Sequence, residues 1–282
     1  MTGHYLACPP LRGRIHTRMI LFKQVRVAFG QPPSASEAKR VQTTVDTAEV
    51  DRFSVMADEW WDPTGKFKPL HKFNPIRLGY IRDQLCDYFD RDTRSLTPLE
   101  GLTILDVGCG GGLISEPLAR MGAKVTGIDA SEQNIGTAQA HAARIGIEID
   151  YICTTAEDLM AAGEVFDIVL SLEVIEHVAD VELFIDSCAA LTRDGGALTV
   201  ATLNRTPKAF MLGIVGAEYV MRWLPRGTHD WKKFVRPSEL ARGFRRNGID
   251  VSDISGLSFN LLTDKWRVSR DVSVNYILFG VK

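Results

Sequence analysis

A regular alternation of short apolar segments and amphipathic segments constrains the fold of this 282-residue chain more than any other feature. Strands are predicted at 103–107, 124–129, 149–153, 166–171 and 197–202, and helices between them at 113–121, 131–145 and 181–192. Short buried strands joined by crossover helices form a parallel sheet that is covered on both faces. We therefore expect an α/β fold whose ligands bind at the carboxyl ends of the strands.

Further segments flank this core on both sides. Apolar residues at helical spacing predict helices at 45–62, ending at Trp60 and Trp61, and at 76–89. After the core, a helix is expected at 237–247, with strands near 251–254 and 276–281. The predicted domain is residues 45–282: N-terminal helices over 45–100, a cofactor-binding core over 101–202, an amphipathic insert over 203–236, and a C-terminal helix and strands over 237–282.

The first residues differ in composition from the rest of the chain. Residues 1–36 contain five basic residues and no Asp or Glu, so we predict a basic leader over 1–44 that is disordered or cleaved. A transit peptide, a start codon placed too early and a disordered tail all fit this composition. Without residues 1–36, the chain has 28 basic and 35 acidic residues, so its net charge is negative. We do not expect a chain with this charge to bind nucleic acid.

The cysteines and the apolar runs argue against three further classes of protein: disulfide-stapled scaffolds, thiolate metal proteins and membrane-spanning proteins. The five cysteines are widely spread and include no C-x-x-C pair, which argues against a disulfide framework and against a thiolate metal site. A reducing compartment fits this pattern. Because no apolar run approaches the roughly 18 residues of a spanning helix, we expect the chain not to cross a membrane.

A glycine-rich loop follows the first predicted strand. Gly108, Gly110 and Gly112 allow a sharp turn and the close approach of a ligand, and Asp129 closes the next strand 17 residues after Gly112. A carboxylate at that point can accept the hydroxyls of a ribose. The dinucleotide pattern G-x-G-x-x-G requires a third glycine where this chain has Leu113, so a different ligand is favoured.

This loop resembles that of the class I S-adenosylmethionine-dependent methyltransferases. Their pattern, acidic-x-G-x-G-x-G with a carboxylate at the end of the second strand, is matched here by Asp106, the three glycines and Asp129. The resemblance implies a Rossmann-like, parallel-dominated sheet of seven strands with helices on both faces. It also implies S-adenosylmethionine as the co-substrate.

Outside the loop, the chain from about residue 45 onward is similar to the O-methyltransferases of ubiquinone biosynthesis. The segments that carry this similarity are WWD at 60–62, FKPLH at 67–71, NPIRL at 74–78, LNR at 203–205, VGAEY at 215–219, GTHD at 227–230 and VNY at 274–276. The resemblance implies methylation of catechol-type hydroxyls on polyprenylated rings, namely 2-polyprenyl-6-hydroxyphenol and 3-demethylubiquinol. It also implies that Arg77, Gly108, Gly110, Asp129 and Leu172 bind the cofactor.

An acidic segment with one histidine follows the fourth core strand. Glu173, Glu176 and His177 stand at i, i+3 and i+4, which would place them on one face of a helix. Two carboxylates and an imidazole suit Mg²⁺, which would chelate both catechol oxygens. Without a metal, His177 is the expected general base, with Glu176 beside it as the second catalytic residue. A solvated helix face is the alternative.

The insert is basic in an otherwise acidic body. Residues 205–236 contain seven Lys and Arg residues against two acidic ones, and Phe210, Ile214, Ala217, Met221 and Leu224 recur every three or four residues. The pattern fits docking on anionic lipid, and it equally fits a cap over the active site. We expect a cytoplasmic protein on the inner face of the cytoplasmic membrane, or on the matrix side of the inner mitochondrial membrane if the leader is a transit peptide. Other enzymes of the ubiquinone pathway are expected partners.

Three other functions remain open at the level of sequence. Another small-molecule methyltransferase would share the fold but would not turn over a prenylated catechol. A dinucleotide-dependent oxidoreductase would bind nicotinamide cofactors. A non-catalytic cofactor-binding subunit would show no turnover.

Overall fold

The computed structural model describes residues 43–220, 230–260 and 263–282, except for the side chains of 216–220. The predicted leader therefore lies outside the described residues, apart from Thr43 and Thr44. Thr44 is buried, and its backbone N–H and its hydroxyl donate to the Glu157 carboxylate at 2.7 and 2.8 Å. The chain thus packs against the core from residue 44 onward.

Two helices precede the sheet, and both differ from their predicted bounds. Helix α1 (Thr47–Ser54) is capped by Asp46, whose side chain accepts hydrogen bonds from two amides of the first turn. It was expected to run to residue 62, but it ends at Ser54 and a separate 3-10 turn follows at Ala57–Glu59. Helix α2 (Lys68–Tyr88) starts earlier than predicted because Pro75 lies inside it rather than before it.

The core alternates strands and helices as the pattern predicted, with one helix added. In chain order the elements are β1 (Thr103–Val107), α3 (Ser115–Arg120), β2 (Lys124–Asp129), α4 (Glu132–Ile145), β3 (Asp150–Cys153), α5 (Ala156–Ala162), β4 (Phe166–Leu172), a 3-10 turn (Ile175–His177), α6 (Val181–Leu191) and β5 (Thr192–Leu203). Helix α5 was not predicted. Thr155 caps it by accepting from the amide of Asp158, and Gly163 ends it in a left-handed conformation.

The remaining elements extend from the end of β5. They are α7 (Pro207–Ala209), which continues as a π-helical segment (Phe210–Val220), a 3-10 turn (Trp231–Lys233), α8 (Pro237–Arg246), β6 (Asp250–Asn260), β7 (Lys265–Ser269) and β8 (Asn275–Val281). Residues 221–229 of the predicted insert, with Met221 and Leu224, lie outside the described residues.

Within the residues that the structure describes, the sheet has eight strands in the order β3-β2-β1-β4-β5-β8-β6-β7. The first five are parallel neighbours, whereas β8 pairs antiparallel with both β5 and β6. The expectation of seven strands is wrong by one because β6 runs beyond its predicted end and β7 folds back on it, pairing Gly256 with Ser269 and Asn260 with Lys265.

The two faces of the sheet carry separate apolar clusters. Leu105 and Val107 of β1 pack with residues of α6 and α8 on one face, including Phe244. Ile104 directly precedes Leu105, so its side chain points to the other face, where it packs with α2 residues such as Leu85. Because helices cover both faces, the ends of the strands are where the fold leaves room for a ligand.

Candidate active site

One cavity of about 660 Å³ lies at the carboxyl ends of the parallel strands. Val107 and Gly108 of the β1 end, Asp129 of β2, Leu172 of β4 and Leu203 of β5 contribute to its lining. Of the residues predicted for the site, the lining contains Arg77, Gly108, Gly110, Asp129, Leu172, Glu173 and His177. Glu176 does not belong to that lining.

The glycine loop turns sharply from β1 into α3. Gly108 and Gly110 have φ of 72° and 54°, and a Cβ on Gly108 would stand 2.5 Å from a methyl group of Val174. The N–H groups of Gly108 and Cys109 both donate to the carbonyl of Ile128, at 2.8 and 2.9 Å, which ties the loop to β2. Glycine is required here by the backbone conformation and by close packing.

Asp129 is held by backbone and side-chain donors at the end of β2. Its Oδ1 accepts from the amide of Ser131 at 2.9 Å and from the Asn134 side chain at 3.2 Å, while its Oδ2 accepts from the amide of Gly110 at 3.0 Å. Burial raises the pKa of Asp129 in spite of these bonds. A carboxylate has about four acceptor positions, so this one can still accept from a ligand hydroxyl.

Asp106 lies beneath the glycine loop, on β1. It is 2% exposed, and its Oδ2 accepts from the Ser115 hydroxyl at 2.6 Å. Burial raises the pKa of Asp106 to about 6. The hydrogen bond to Ser115 and the positive charge of Arg77 partly oppose that rise.

Arg77 enters the site from α2. The residue is 2% exposed, its guanidinium lies 4.5 Å from the centre of the Phe73 ring, and its Nη1 donates to Glu173 Oε1 at 3.1 Å. Its Nη2 donates to the side chain of Asn74. Within the described ranges its Nε has no hydrogen-bond partner. A buried guanidinium with donor capacity left is suited to a carboxylate.

Glu173, Glu176 and His177 do not share a helical face. Glu173 has a φ of 59°, and the short 3-10 turn begins only at Ile175. Because Glu173 is not part of a helix, the i, i+3, i+4 spacing does not place its side chain on the same face as those of Glu176 and His177. The predicted common face is therefore wrong.

The three side chains point to different partners. Glu173 pairs with Arg77, Glu176 accepts from the Thr202 hydroxyl at 2.9 Å, and His177 Nδ1 lies 3.1 Å from Glu49 Oε2. In the part of the chain that the structure describes, no group of three His, Cys, Asp or Glu side chains is arranged to hold a metal ion. The magnesium site stays a prediction.

Glu176 is buried beside the cavity. It is 2% exposed, and burial together with the nearby charge of Glu173 raises its pKa well above the ordinary value. Its Oε1 is without a hydrogen-bond partner among the described side chains and backbone groups. A carboxyl group in this setting favours its protonated form.

The sequence did not indicate several residues of the site. Glu49 from α1 contacts the predicted base His177, and Phe53 packs edge-on against that imidazole at 5.1 Å. Trp60 lies on the glycine loop, whereas the sequence predicts it only as a helix end and as part of the WWD segment of the family resemblance. Helical periodicity places such residues on a buried face, but it does not say which strand end that face covers.

Three aromatic side chains form one wall of the cavity. Phe73 from α2 and Phe259 from β6 pack against Trp266 of β7, with ring centres 4.6 and 5.1 Å from the indole. Leu203 and Leu212 add aliphatic surface. This wall depends on the β6–β7 hairpin, the element that the sequence did not predict.

Comparison with known proteins places these features in a family context. Residues 105–200 match a family described as a methyltransferase domain. The chain is 59% identical over 239 residues to a ubiquinone biosynthesis O-methyltransferase of Rhizobium etli, covering 85% of this chain and 96% of that protein. It is 57% identical to the protein of the same name from Parvibaculum lavamentivorans, covering 85% and 94%.

Solved structures share the fold at low sequence identity. A magnesium protoporphyrin IX methyltransferase of Synechocystis, crystallised with bound S-adenosylmethionine, has a TM-score of 0.58 at 20% identity and covers 86% of this chain and 99% of that one. A methyltransferase of Thermotoga maritima has a TM-score of 0.55 at 18% identity, covering 83% and 98%. The expected Rossmann-like methyltransferase fold is confirmed, with eight strands in place of seven.

Proposed function

The chain belongs to the ubiquinone biosynthesis O-methyltransferase family, and from that premise we propose that it methylates catechol-type hydroxyls of polyprenylated rings. S-adenosylmethionine is the methyl donor. The acceptors are 2-polyprenyl-6-hydroxyphenol and 3-demethylubiquinol, as the family resemblance implies. The observation that carries the proposal is that one cavity joins the glycine loop and Asp129 to an aromatic wall.

The cofactor occupies the end of the cavity next to the glycine loop. Gly108 and Gly110 give the loop the left-handed turn that borders this end of the cavity, and Asp129 accepts from the ribose hydroxyls of the cofactor. The Arg77 guanidinium binds the carboxylate of the methionine part, with its Nε as an available donor. Leu172, at the end of β4, packs against the ligand from below.

The acceptor ring lies against the aromatic wall. Phe259 and Trp266, the latter backed by Phe73, present flat apolar surface, on which a catechol or quinol ring stacks favourably. Leu203 and Leu212 continue this surface in the direction of the insert, where the prenyl chain leaves the cavity. A catechol without a prenyl chain would not contact the aliphatic surface formed by Leu203 and Leu212.

His177 accepts the proton of the reacting hydroxyl. A phenol has a pKa of about 10, so at neutral pH only about one molecule in a thousand is ionised, and a base next to the hydroxyl is required. S-adenosylmethionine supplies an activated methyl group: the acceptor oxygen bonds to the methyl carbon while the carbon–sulfur bond breaks and leaves its electron pair on sulfur. The phenolic proton passes to the imidazole, which Glu49 orients through Nδ1.

Glu176 is the weaker of the two catalytic candidates. It is buried, it is bound by Thr202, and it stands outside the cavity lining. Its role is to support the floor of the site beneath Glu173. The proposed base is therefore His177 alone.

Magnesium does not fit the three predicted ligands as they stand. Glu173 is neutralised by Arg77, Glu176 is turned toward Thr202, and His177 faces Glu49. A chelated ion would require Glu173 to leave its guanidinium partner. Magnesium stays a prediction that the assay below tests directly.

The insert gives the protein a membrane-facing surface. Phe210, Met211 and Leu212 are 41, 55 and 51% exposed, and the exposed cation Lys232 lies in the same insert. This combination suits peripheral docking on anionic lipid, on the inner face of the bacterial cytoplasmic membrane or on the matrix side of the inner mitochondrial membrane. There the chain would also meet other enzymes of the pathway. No helix in the described ranges is long and apolar enough to span a bilayer.

Flotation with vesicles tests the docking. Anionic vesicles should carry the protein at low salt and release part of it at high salt, while zwitterionic vesicles should carry less. Changing Phe210 and Met211 to serine should weaken flotation without changing cofactor affinity. Absence of binding to anionic vesicles would contradict the docking proposal.

Transfer of a labelled methyl group tests the reaction. Purified protein is incubated with methyl-labelled S-adenosylmethionine and a short-chain polyprenyl catechol, the same catechol without its prenyl chain, or no acceptor. Each reaction is run with chelator, with chelator plus excess Mg²⁺, and without additions. We expect preferential turnover of the prenylated acceptor, and loss of that turnover in the His177→Asn variant.

The outcomes separate the alternatives. Turnover that disappears with chelator and returns with Mg²⁺ would establish a metal requirement and contradict the metal-free proton transfer. Equal turnover of both catechols would contradict the role of the prenyl chain. No turnover with the cofactor bound would favour another small-molecule methyltransferase or a non-catalytic subunit.

A further inference from the structure

Trp60 packs directly on the glycine loop. It lies just after the 3-10 turn Ala57–Glu59, and its ring occupies the space in which a Cβ on Gly110 or Gly111 would stand. The indole also belongs to the lining of the cavity. The absence of side chains at these two loop positions therefore makes room for Trp60.

A chain of hydrogen bonds connects Trp60 to the carboxylate of Asp129. The indole Nε1–H donates to Asn134 Oδ1 at 2.9 Å, and the Nδ2 of the same amide donates to Asp129 Oδ1 at 3.2 Å. Asn134 is 2% exposed, on the first turn of α4. Because its amide is held at both ends, the direction in which Asn134 faces Asp129 depends on Trp60.

The neighbouring side chains fix the ring of Trp60 in place. Its indole stacks on Phe67 with ring centres 3.8 Å apart and planes at 8°. The next residue, Trp61, donates from Nε1 to the carbonyl of Gly111 at 2.8 Å and stacks on His141 at 3.5 Å. Trp60 is thus part of a rigid arrangement and not a mobile surface ring.

We propose that Trp60 is a cofactor-positioning residue, which closes the glycine loop from above and holds the Asp129 carboxylate in place through Asn134. The inference extends the site from the strand ends to the segment between α1 and α2. It rests on the S-adenosylmethionine site and not on the identity of the acceptor, so the two can fail separately.

Trp60→Phe keeps an aromatic ring and removes the donor to Asn134. Titration with S-adenosylhomocysteine in a calorimeter should show an affinity about five- to tenfold weaker than in the wild type, because binding would then have to fix the orientation of Asn134 and Asp129 that Trp60 otherwise holds in advance. In steady-state assays KM for S-adenosylmethionine should rise by a similar factor. The acceptor KM and kcat should stay close to their wild-type values, a split that general destabilisation would not produce.

Trp231→Phe is the matched control. Trp231 also donates one indole N–H, to the carbonyl of Thr206 at 3.1 Å, and it does not belong to the cavity lining. Its substitution should leave the S-adenosylhomocysteine affinity unchanged. A change of tryptophan fluorescence on adding S-adenosylhomocysteine should persist in this control and be largely lost in Trp60→Phe.

A double-mutant cycle with Asn134→Leu tests the hydrogen-bond chain itself. If Trp60 acts through Asn134, the double variant should bind S-adenosylhomocysteine no more weakly than Asn134→Leu alone. Wild-type affinity in Trp60→Phe, or fully additive losses in the cycle, would overturn the inference. Failure of catechol turnover with these binding results intact would instead contradict the proposed acceptor.

Discussion

The pH dependence of stability should reveal the cost of ionising Asp106. Burial raises the pKa of this carboxyl from its ordinary value of 3.8 to about 6 in the folded protein. The difference of about 2 pKa units corresponds to roughly 3 kcal/mol, at 1.36 kcal/mol per unit. Because the folded pKa is the higher one, this contribution to stability is complete below pH 4 and is lost as the pH rises through 6.

Asp106→Asn removes this dependence while keeping an oxygen that can accept from Ser115. We expect the variant to be more stable than the wild type at pH 8, by at most about 3 kcal/mol. The difference between the two unfolding free energies should change between pH 4 and 6 and stay level above pH 7. Urea unfolding followed by circular dichroism, at half-unit steps of pH, measures it.

Ser115→Ala provides the complementary variant. The Ser115 hydroxyl stabilises the ionised form of Asp106, so its removal should raise the pKa of Asp106 further and move the loss of stability to higher pH. The reasoning would be refuted if Asp106→Asn were less stable than the wild type at pH 8, or if the two proteins kept parallel stability profiles from pH 4 to 8.

Three further outcomes follow from packing. Gly112→Ala should destabilise the protein, because the new Cβ would overlap the Tyr151 hydroxyl and because Gly112 has a φ of 88°, which alanine rarely adopts. In Gly136→Ala, on α4, the new Cβ meets nothing within 4 Å, so this variant should be neutral or more stable by up to about 1 kcal/mol. Denaturant unfolding of the two variants measures the difference. Phe244→Ala should cost about 3–5 kcal/mol of unfolding free energy, since the ring is fully buried between α8 and the sheet. Trp266→Leu should raise KM for the prenylated acceptor and leave the calorimetric affinity for S-adenosylhomocysteine unchanged.

The parallel half of the sheet could be predicted from the sequence because its strands are short, apolar and bounded by glycines or caps. The predicted bounds of β1 and β2 agree with the structure, and Ser131 caps α4 as expected, accepting from the amide of Asn134. These elements follow from local signals: period, turn residues and capping side chains.

The antiparallel edge could not be predicted in the same way. Strand β7 is exposed at three of its five positions and includes Lys265 and Arg267, so its sequence does not distinguish it from a loop without the pairing to β6. The aromatic wall around Trp266 depends on that pairing. Its place in the cavity was therefore not visible in the sequence.

The segment that follows β4 shows the limit for side-chain geometry. The residue types at Glu173, Glu176 and His177 predicted a shared face, but the left-handed φ of Glu173 turns that carboxylate to Arg77. Left-handed conformations of non-glycine residues are uncommon and have little signal in the sequence. Residue identity predicts a catalytic site in this segment, whereas the backbone conformation determines which of its side chains meet.

The most direct measurement is the identity of the methylated product. Protein, S-adenosylmethionine with an isotopically labelled methyl group and a short-chain polyprenyl catechol are incubated together, and the product is analysed by mass spectrometry and NMR. We predict one labelled methyl group on a catechol oxygen, formed by the wild type and lost in His177→Asn. A methyl group on carbon, or no labelled product while S-adenosylhomocysteine still binds, would contradict O-methylation of a prenylated catechol by this site.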